Sequence, residues 1–237
     1  MSTMWARMTR GPAGRWSFWK FNWLANHKVL RALERVAPHA RGALLDVGCG
    51  SMPFASAFRG RVASYVGVDL PGSHDFWGAN PHVFGAAESL PFRDASFDTV
   101  LSVSVLNYLP EPGRMVAEAH RLLKPGGVAI LEFPQMLPLD DEDRDYFRFT
   151  RHGAELLLRQ NGFEPLEYVP VGSLPARVGL SLIAGLRRFN RGPTRVLTEI
   201  PIRLLYVLIQ LVSEGLDRLF FNPDEVLAHV VLARRNP

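Results

Sequence analysis

A chain of 237 residues suffices for one α/β domain with an elaboration or for two small domains, and 47% hydrophobic residues mark it as globular. Its single cysteine excludes a disulfide framework and an all-cysteine metal site, and fits a reducing, cytoplasmic compartment. The net charge of +4 hides a segregation: residues 1–41 carry eight basic residues and one acidic, residues 42–174 ten and seventeen, residues 175–237 nine and five. Two basic, apolar arms thus flank an acidic centre, which suits the anionic inner face of a membrane. No nucleic-acid motif accompanies the charge, so no nucleic-acid partner is expected. The N-terminus lacks the apolar core and cleavage site of a signal peptide, and no run of about 18 apolar residues offers a spanning helix.

In chain order, the arm at residues 1–41 reads as helical, with Trp16, Trp19, Trp23, Leu30 and Leu33 on one face. It packs on the domain, anchors at an interface or covers a pocket. Residues 42–172 then alternate strand and helix at βα spacing. The strand readings are Ala43–Val47, Ser64–Asp69, His82–Ala86, Phe97–Val103, Val128–Phe133 and Phe163–Val171. A helix from Glu111 to Leu123 ends at Lys124-Pro125-Gly126-Gly127, and another from Thr150 to Gln160 ends at Asn161-Gly162. Residues 173–225 form an insertion far longer than a hairpin needs. From Glu199 a narrow polar stripe runs through Arg203, Tyr206, Gln210, Ser213, Glu214 and Asp217, and the remaining surface is apolar. A helix so broadly apolar belongs in a core, a homodimer interface or a bilayer interface. Residues 226–237 hold a last strand, Val226–Arg234, and a tail.

The chemistry concentrates at Leu44-Leu45-Asp46-Val47-Gly48-Cys49-Gly50, a buried strand entering a glycine turn. Glycine lets backbone approach a ligand closely, and the carboxyl end of a strand is where open α/β sheets bind ligands. The second strand ends at Asp69, whose carboxylate suits a ribose diol. NAD and S-adenosylmethionine both fit this much. Asp46 beside the glycines suits a pyrophosphate poorly. Cys49 reads as a small semi-buried filler, with no His or Lys beside it to make it a nucleophile.

Two further segments narrow the choice: Ala87-Glu88-Ser89-Leu90-Pro91-Phe92 before Phe97-Asp98-Thr99-Val100, and Leu122-Leu123-Lys124-Pro125-Gly126-Gly127 after it. Together these motifs resemble the class I S-adenosylmethionine-dependent methyltransferases, in particular the methyltransferase-11-like group, over about residues 42–170. The resemblance implies a Rossmann-like α/β fold with a seven-stranded mixed sheet in order 3-2-1-4-5-7-6, strand 7 antiparallel, and helices on both faces. It implies S-adenosyl-L-methionine as cofactor, with Asp46, Gly48, Cys49 and Gly50 at its methionyl end. Asp69 and Leu70 would meet the ribose, Ala87 and Glu88 the adenine, and Ser102 and Val103 the cleft. The sequence departs from the family at Met52, where a third glycine is usual, at Ala86, where many relatives carry Asp, and at Asn107-Tyr108, where Glu-His is common.

Phe133-Pro134, Asp140 and Asp145-Tyr146-Phe147-Arg148-Phe149-Thr150 resemble a bacterial subgroup linked with surface-glycan or lipid-linked biosynthesis, with Asp140 where that subgroup has a His. On this resemblance the segment roofs the acceptor side of the cleft. The candidate catalytic residues are Asp140 or Asp145 as proton acceptor, with Tyr146 and Arg148 orienting the acceptor. Arg148 alternatively pairs only with Asp145. No metal-ligand spacing is present, and no metal is expected. The expected function is methyl transfer to a small-molecule, amphiphilic or lipid-linked acceptor, on oxygen, with peripheral membrane contact. The alternatives are a soluble metabolite or sugar methyltransferase with the insertion as dimer interface, and a degenerate, non-catalytic cofactor-binding or scaffold protein.

Overall fold

The computed structural model describes residues 19–73, 81–137, 144–189 and 195–236. Helix α1 (Trp23–Val36) precedes β1 (Ala43–Val47), β2 (Ser64–Asp69), β3 (Val83–Phe84) and β4 (Phe97–Ser102). Then follow α2 (Pro112–Leu122), β5 (Leu123–Pro134), α3 (Arg151–Gln160), β6 (Phe163–Val171), α4 (Leu174–Phe189), α5 (Arg195–Leu219) and β7 (Ala228–Arg235). The strands form one sheet in the order β3-β2-β1-β4-β5-β7-β6. β1 to β5 pair in parallel, while β7 lies between β5 and β6 and runs antiparallel to both. This is the order the sequence motifs imply.

Parallel strands are buried on both faces and so read as continuous apolar runs. One face, with Leu45, Val100, Leu131 and Phe133, packs on Met115, Val116 and Ala119 of α2 and on Ala154 and Leu158 of α3. The other, with Leu44, Leu101, Ile130 and Val230, packs on Val29, Ala32, Leu33 and Val36 of α1. The Thr150 side chain caps α3 by accepting a hydrogen bond from Gly153 N at 3.1 Å, which fixes where that helix starts.

Three boundaries differ from the sequence expectation. β3 keeps two residues rather than five, because His82 turns its ring back and its Nδ1 accepts from Gly67 N at 2.9 Å. β5 begins at Leu123 rather than Val128: Leu123 pairs with Phe97 before the register shifts, so Lys124-Pro125-Gly126-Gly127 is an irregularity within the ladder. β7 starts at Ala228, since Val226 and Leu227 still belong to the turn from α5.

The insertion is the larger surprise. On α5 the polar stripe faces inward: Tyr206, Gln210, Ser213, Glu214 and Asp217 are buried, while Ile200, Leu204, Leu208, Leu211, Val212 and Leu216 are exposed. The stripe turns inward because it meets polar partners on α1 and α4. Lys28 Nζ lies 2.6 Å from both Glu214 Oε2 and Asp217 Oδ2. Ser173 donates to Asp217 Oδ1 from its N at 2.7 Å and its Oγ at 2.5 Å. Leu24 N, one of the donors left unpaired at the start of α1, finds Gln210 Oε1 at 3.0 Å. A Cβ on Gly179 would stand 2.1 Å from Ser213 Oγ, so α4 and α5 approach more closely than any other residue allows.

The tryptophan arm, where described, packs rather than protrudes. Trp23 is buried with Leu24, Ala176, Leu180 and Leu227, and its ring stacks on His27 at 4.9 Å. Trp16 lies outside the described residues.

Candidate functional site

The glycine turn is built by its neighbours. Gly48 N and Cys49 N both donate to Val68 O, at 2.9 and 3.1 Å, which ties the turn to β2. Asp69, at the end of β2, accepts from Gly50 N at 2.7 Å and from Leu70 N at 2.8 Å. Each carboxylate oxygen keeps a further lone pair for a ligand. Gly48 takes φ +72°, and a Cβ there would stand 2.2 Å from Val105 Cγ2, so the position demands glycine on two counts. Around Gly50, at φ +51°, nothing lies within 4 Å of where a Cβ would be. Met52 also takes the left-handed region, at φ 53°. The backbone that a third glycine would favour is therefore kept although the residue is changed.

Asp46 is buried on the α1 side of the sheet and accepts from Tyr65 Oη at 2.6 Å. Burial pushes its carboxyl up to about 7 against the Tyr65 hydrogen bond, and the charge of Asp69 adds to the rise. Cys49 is buried in the turn, and burial with the charges of Asp46 and Asp69 pushes its thiol up to about 12, far from a reactive thiolate. Ala87 is buried and Glu88 half-buried within the small turn closed by the Ala86–Ser89 bridge. Ser102 Oγ donates to Val47 O at 2.9 Å, linking β4 to the turn, and Val103 follows it, half-buried.

At the carboxyl ends of β4 and β5 a second polar group assembles. The loop holding Tyr146 and Phe147 is pinned by their backbone amides donating to Asn107 O at 2.8 and 3.2 Å. Asn107 Nδ2 donates to Asp145 Oδ1 at 2.9 Å, and the Arg148 guanidinium grips both oxygens of Asp145 at 2.5 Å. Asp145 is thus committed to Arg148 and Asn107, while Tyr146 stands exposed at the rim. Asp140 lies outside the described residues.

Sequence reasoning missed Glu132. It is buried in the middle of the sheet, and its Oε2 accepts from Ser104 N at 2.7 Å and Ser104 Oγ at 3.0 Å. Its Oε1 has no hydrogen-bond partner, nor does the buried Oδ1 of Asn107. Burial pushes the Glu132 carboxyl up to about 7, opposed by the Ser104 hydrogen bonds and by the charge of Arg148. The signal was present in Val128-Ala129-Ile130-Leu131-Glu132-Phe133, a lone acid inside a central strand. Among the described residues no cluster of His, Cys, Asp or Glu could hold a metal ion.

Residues 45–131 match the family model described as "Methyltransferase domain". The likeness to a methyltransferase domain thus covers the first five strands of the sheet. A protein of Mycobacterium sp. strain KMS, named as an uncharacterized methyltransferase, is 37% identical over 143 residues, which is 57% of this chain and 56% of that protein. The chain thus matches little more than half the length of such relatives. Among solved structures, an S-adenosylmethionine-dependent methyltransferase from Mesorhizobium loti aligns with a TM-score of 0.54 at 18% identity, over 91% of this chain and 98% of that one. The [4+2]-cyclase SpnF aligns with a TM-score of 0.57 at 23% identity, over 88% of this chain and 81% of that one. These structures share the fold, and a fold hosts more than one chemistry.

The aligned structure from Mesorhizobium loti is of an S-adenosylmethionine-dependent methyltransferase, which makes that cofactor the one to test against this turn. The turn fits it. Open space at Gly50 leaves room for a ligand against the backbone, and Asp69 offers lone pairs to hydroxyls. Residues 48–52 bring no basic side chain that would hold a phosphate.

Proposed function

We propose that the chain catalyses methyl transfer from S-adenosyl-L-methionine to an amphiphilic, lipid-linked or glycan-type acceptor, on oxygen, at the inner face of the membrane. The observation that carries the reading is the pair of polar groups on one edge of the sheet. The Asp46–Gly50 turn held by Asp69 is assigned to the cofactor, and the acceptor is assigned to the neighbourhood of Glu132, whose Oε1 is unpaired and whose carboxyl feels the charge of Arg148. When bound, the cofactor supplies a methyl group already activated on a sulfonium.

The protein's own task is then to place a nucleophile in line and to receive its proton. Glu132 suits the second task because a carboxyl near 7 takes a proton at neutral pH. Asp145 suits it less, with both oxygens held by Arg148; the pair instead steadies the loop that carries Tyr146. Leu70, Ala87, Glu88, Ser102 and Val103 complete the cofactor side on the family resemblance. The amphiphilic clause is supported by the apolar outward face of the insertion.

Calorimetry tests the core of the reading: S-adenosyl-L-methionine binds the wild type and loses at least tenfold in affinity in Asp69→Ala. No binding by the wild type overturns it and favours a scaffold. Label from methyl-tritiated cofactor entering an organic-extractable fraction of bacterial lipids supports the amphiphilic acceptor, and label confined to water-soluble products overturns that clause.

A further inference from the structure

The insertion presents the reverse of an ordinary surface helix. Its inward side holds the carboxylates and its outward side the leucines. Leu174, Val178 and Leu182 of α4 are exposed beside Ile200, Leu204, Leu208, Leu211, Val212 and Leu216 of α5. The end of α5 adds Leu219, Phe220 and Phe221, with Leu219 76% and Phe220 67% exposed. A contiguous apolar face of this kind is costly in water and marks a contact surface.

Its charges say what it contacts. Residues 173–225 carry seven arginines and five acids. The three acids on α5 are tied up: Glu199 by Arg203, Glu214 by Lys28 and Arg218, and Asp217 by Lys28 and Ser173. The guanidiniums of Arg177, Arg187 and Arg218 border the apolar face, Arg187 lying over the Phe21 ring at 3.6 Å. The carboxylates beside the face are Asp224 and Glu225, past the end of α5, so two copies of the chain meeting through it would oppose more arginine than acid. Lipid phosphates answer it directly. No helix among the described residues is long and apolar enough to cross a membrane, whereas α5, with 25 residues, is about 37 Å long and can lie along one.

We propose that the outward face of α4 and α5 seats in the interface of an anionic bilayer, α5 in the membrane plane, with Arg177 and Arg187 meeting headgroup phosphates. The insertion, rather than the tryptophan arm, is the anchor, and α1 is the clamp that holds it to the domain through Lys28. The proposal rests on the amphiphilic-acceptor reading for its purpose, yet its test needs no acceptor.

The experiment is flotation of the full chain with vesicles of phosphatidylcholine alone or of phosphatidylcholine with phosphatidylglycerol. Wild type should float with the anionic vesicles, and less so as salt rises. Replacing Arg177 and Arg187 by Gln should weaken binding about fivefold per arginine. Leu204→Glu, Leu208→Glu and Leu211→Glu together should abolish flotation while leaving cofactor affinity and far-UV circular dichroism unchanged. Wild type that stays unbound, or a triple variant that still floats, overturns the proposal. So does a wild-type dimer by light scattering that the triple variant splits, together with no vesicle binding. Failure to float with cofactor binding intact sinks only the docking; failure to bind cofactor with flotation intact sinks only the methyl-transfer reading.

Discussion

Helices α3 and α5 are both amphipathic, yet they are mounted in opposite senses. α3 buries Ala154 and Leu158 against the sheet and turns its charged residues outward. α5 buries Tyr206, Gln210, Glu214 and Asp217 and turns its leucines outward. Amphipathicity therefore tells that a helix has two sides, and its neighbours decide which side is inside. The sheet offers α3 an apolar surface, whereas α1 and the turn before α4 offer α5 a lysine, a serine and backbone amides.

The comparison can be broken most forcefully at Lys28. Lys28→Met leaves Glu214 and Asp217 without their cation in a buried setting, so unfolding should become easier by about 3 kcal/mol, read by chemical denaturation. If stability holds, the inward stripe is not what fixes α5. Leu158→Ala should cost a similar or slightly smaller amount, about 2–3 kcal/mol, because it opens a cavity under α3. Leu208→Ala on α5 should change stability by less than about 0.5 kcal/mol, since that side chain is 58% exposed. Equal losses at the two leucines would erase the contrast.

Between these in size lies a pH effect in the middle of the sheet. Glu132 has a folded-state pKa near 7, above its unfolded value, so the folded state holds the proton more tightly. Its contribution to stability is complete below about pH 4 and is lost as pH rises through about 7. Glu132→Gln should flatten that decline, with a gain on the order of 2 kcal/mol above pH 7, visible in thermal melts across pH. The same variant should lower methyl transfer about a hundredfold and remove the rise in rate through pH 7. A variant that loses stability at every pH would mark Glu132 as a structural group only.

Much of the sheet was legible because its strands announce themselves. The parallel Ala43–Val47 and Ser64–Asp69 and the antiparallel Phe163–Val171 have the boundaries that their apolar residues and flanking turn residues indicate. The glycine turn was legible for a related reason: Gly48 and Gly50 sit where the backbone needs positive φ, and Asp69 closes the turn from the next strand. The polar group at the ends of β4 and β5 was only half legible. Asp145 and Arg148 stood out as a charged pair in a loop, but the Glu132–Ser104 contact joins residues 28 positions apart, and only the strand register brings them together. The polar stripe of α5 was read correctly as a stripe. Its direction depended on Lys28, which is 186 residues distant from Glu214 and carries no local mark of that role.

Placement of β7 between β5 and β6 carries a consequence for synthesis. During translation, β5 and β6 leave the ribosome well before the strand that bridges them, and both α4 and α5 must emerge in between. Until then β5 and β6 present unpaired edges, and the leucine side of α5 is exposed as soon as the helix forms. The sheet therefore closes only when the last strand is made, and the apolar face of the insertion stays uncovered for the whole of that interval.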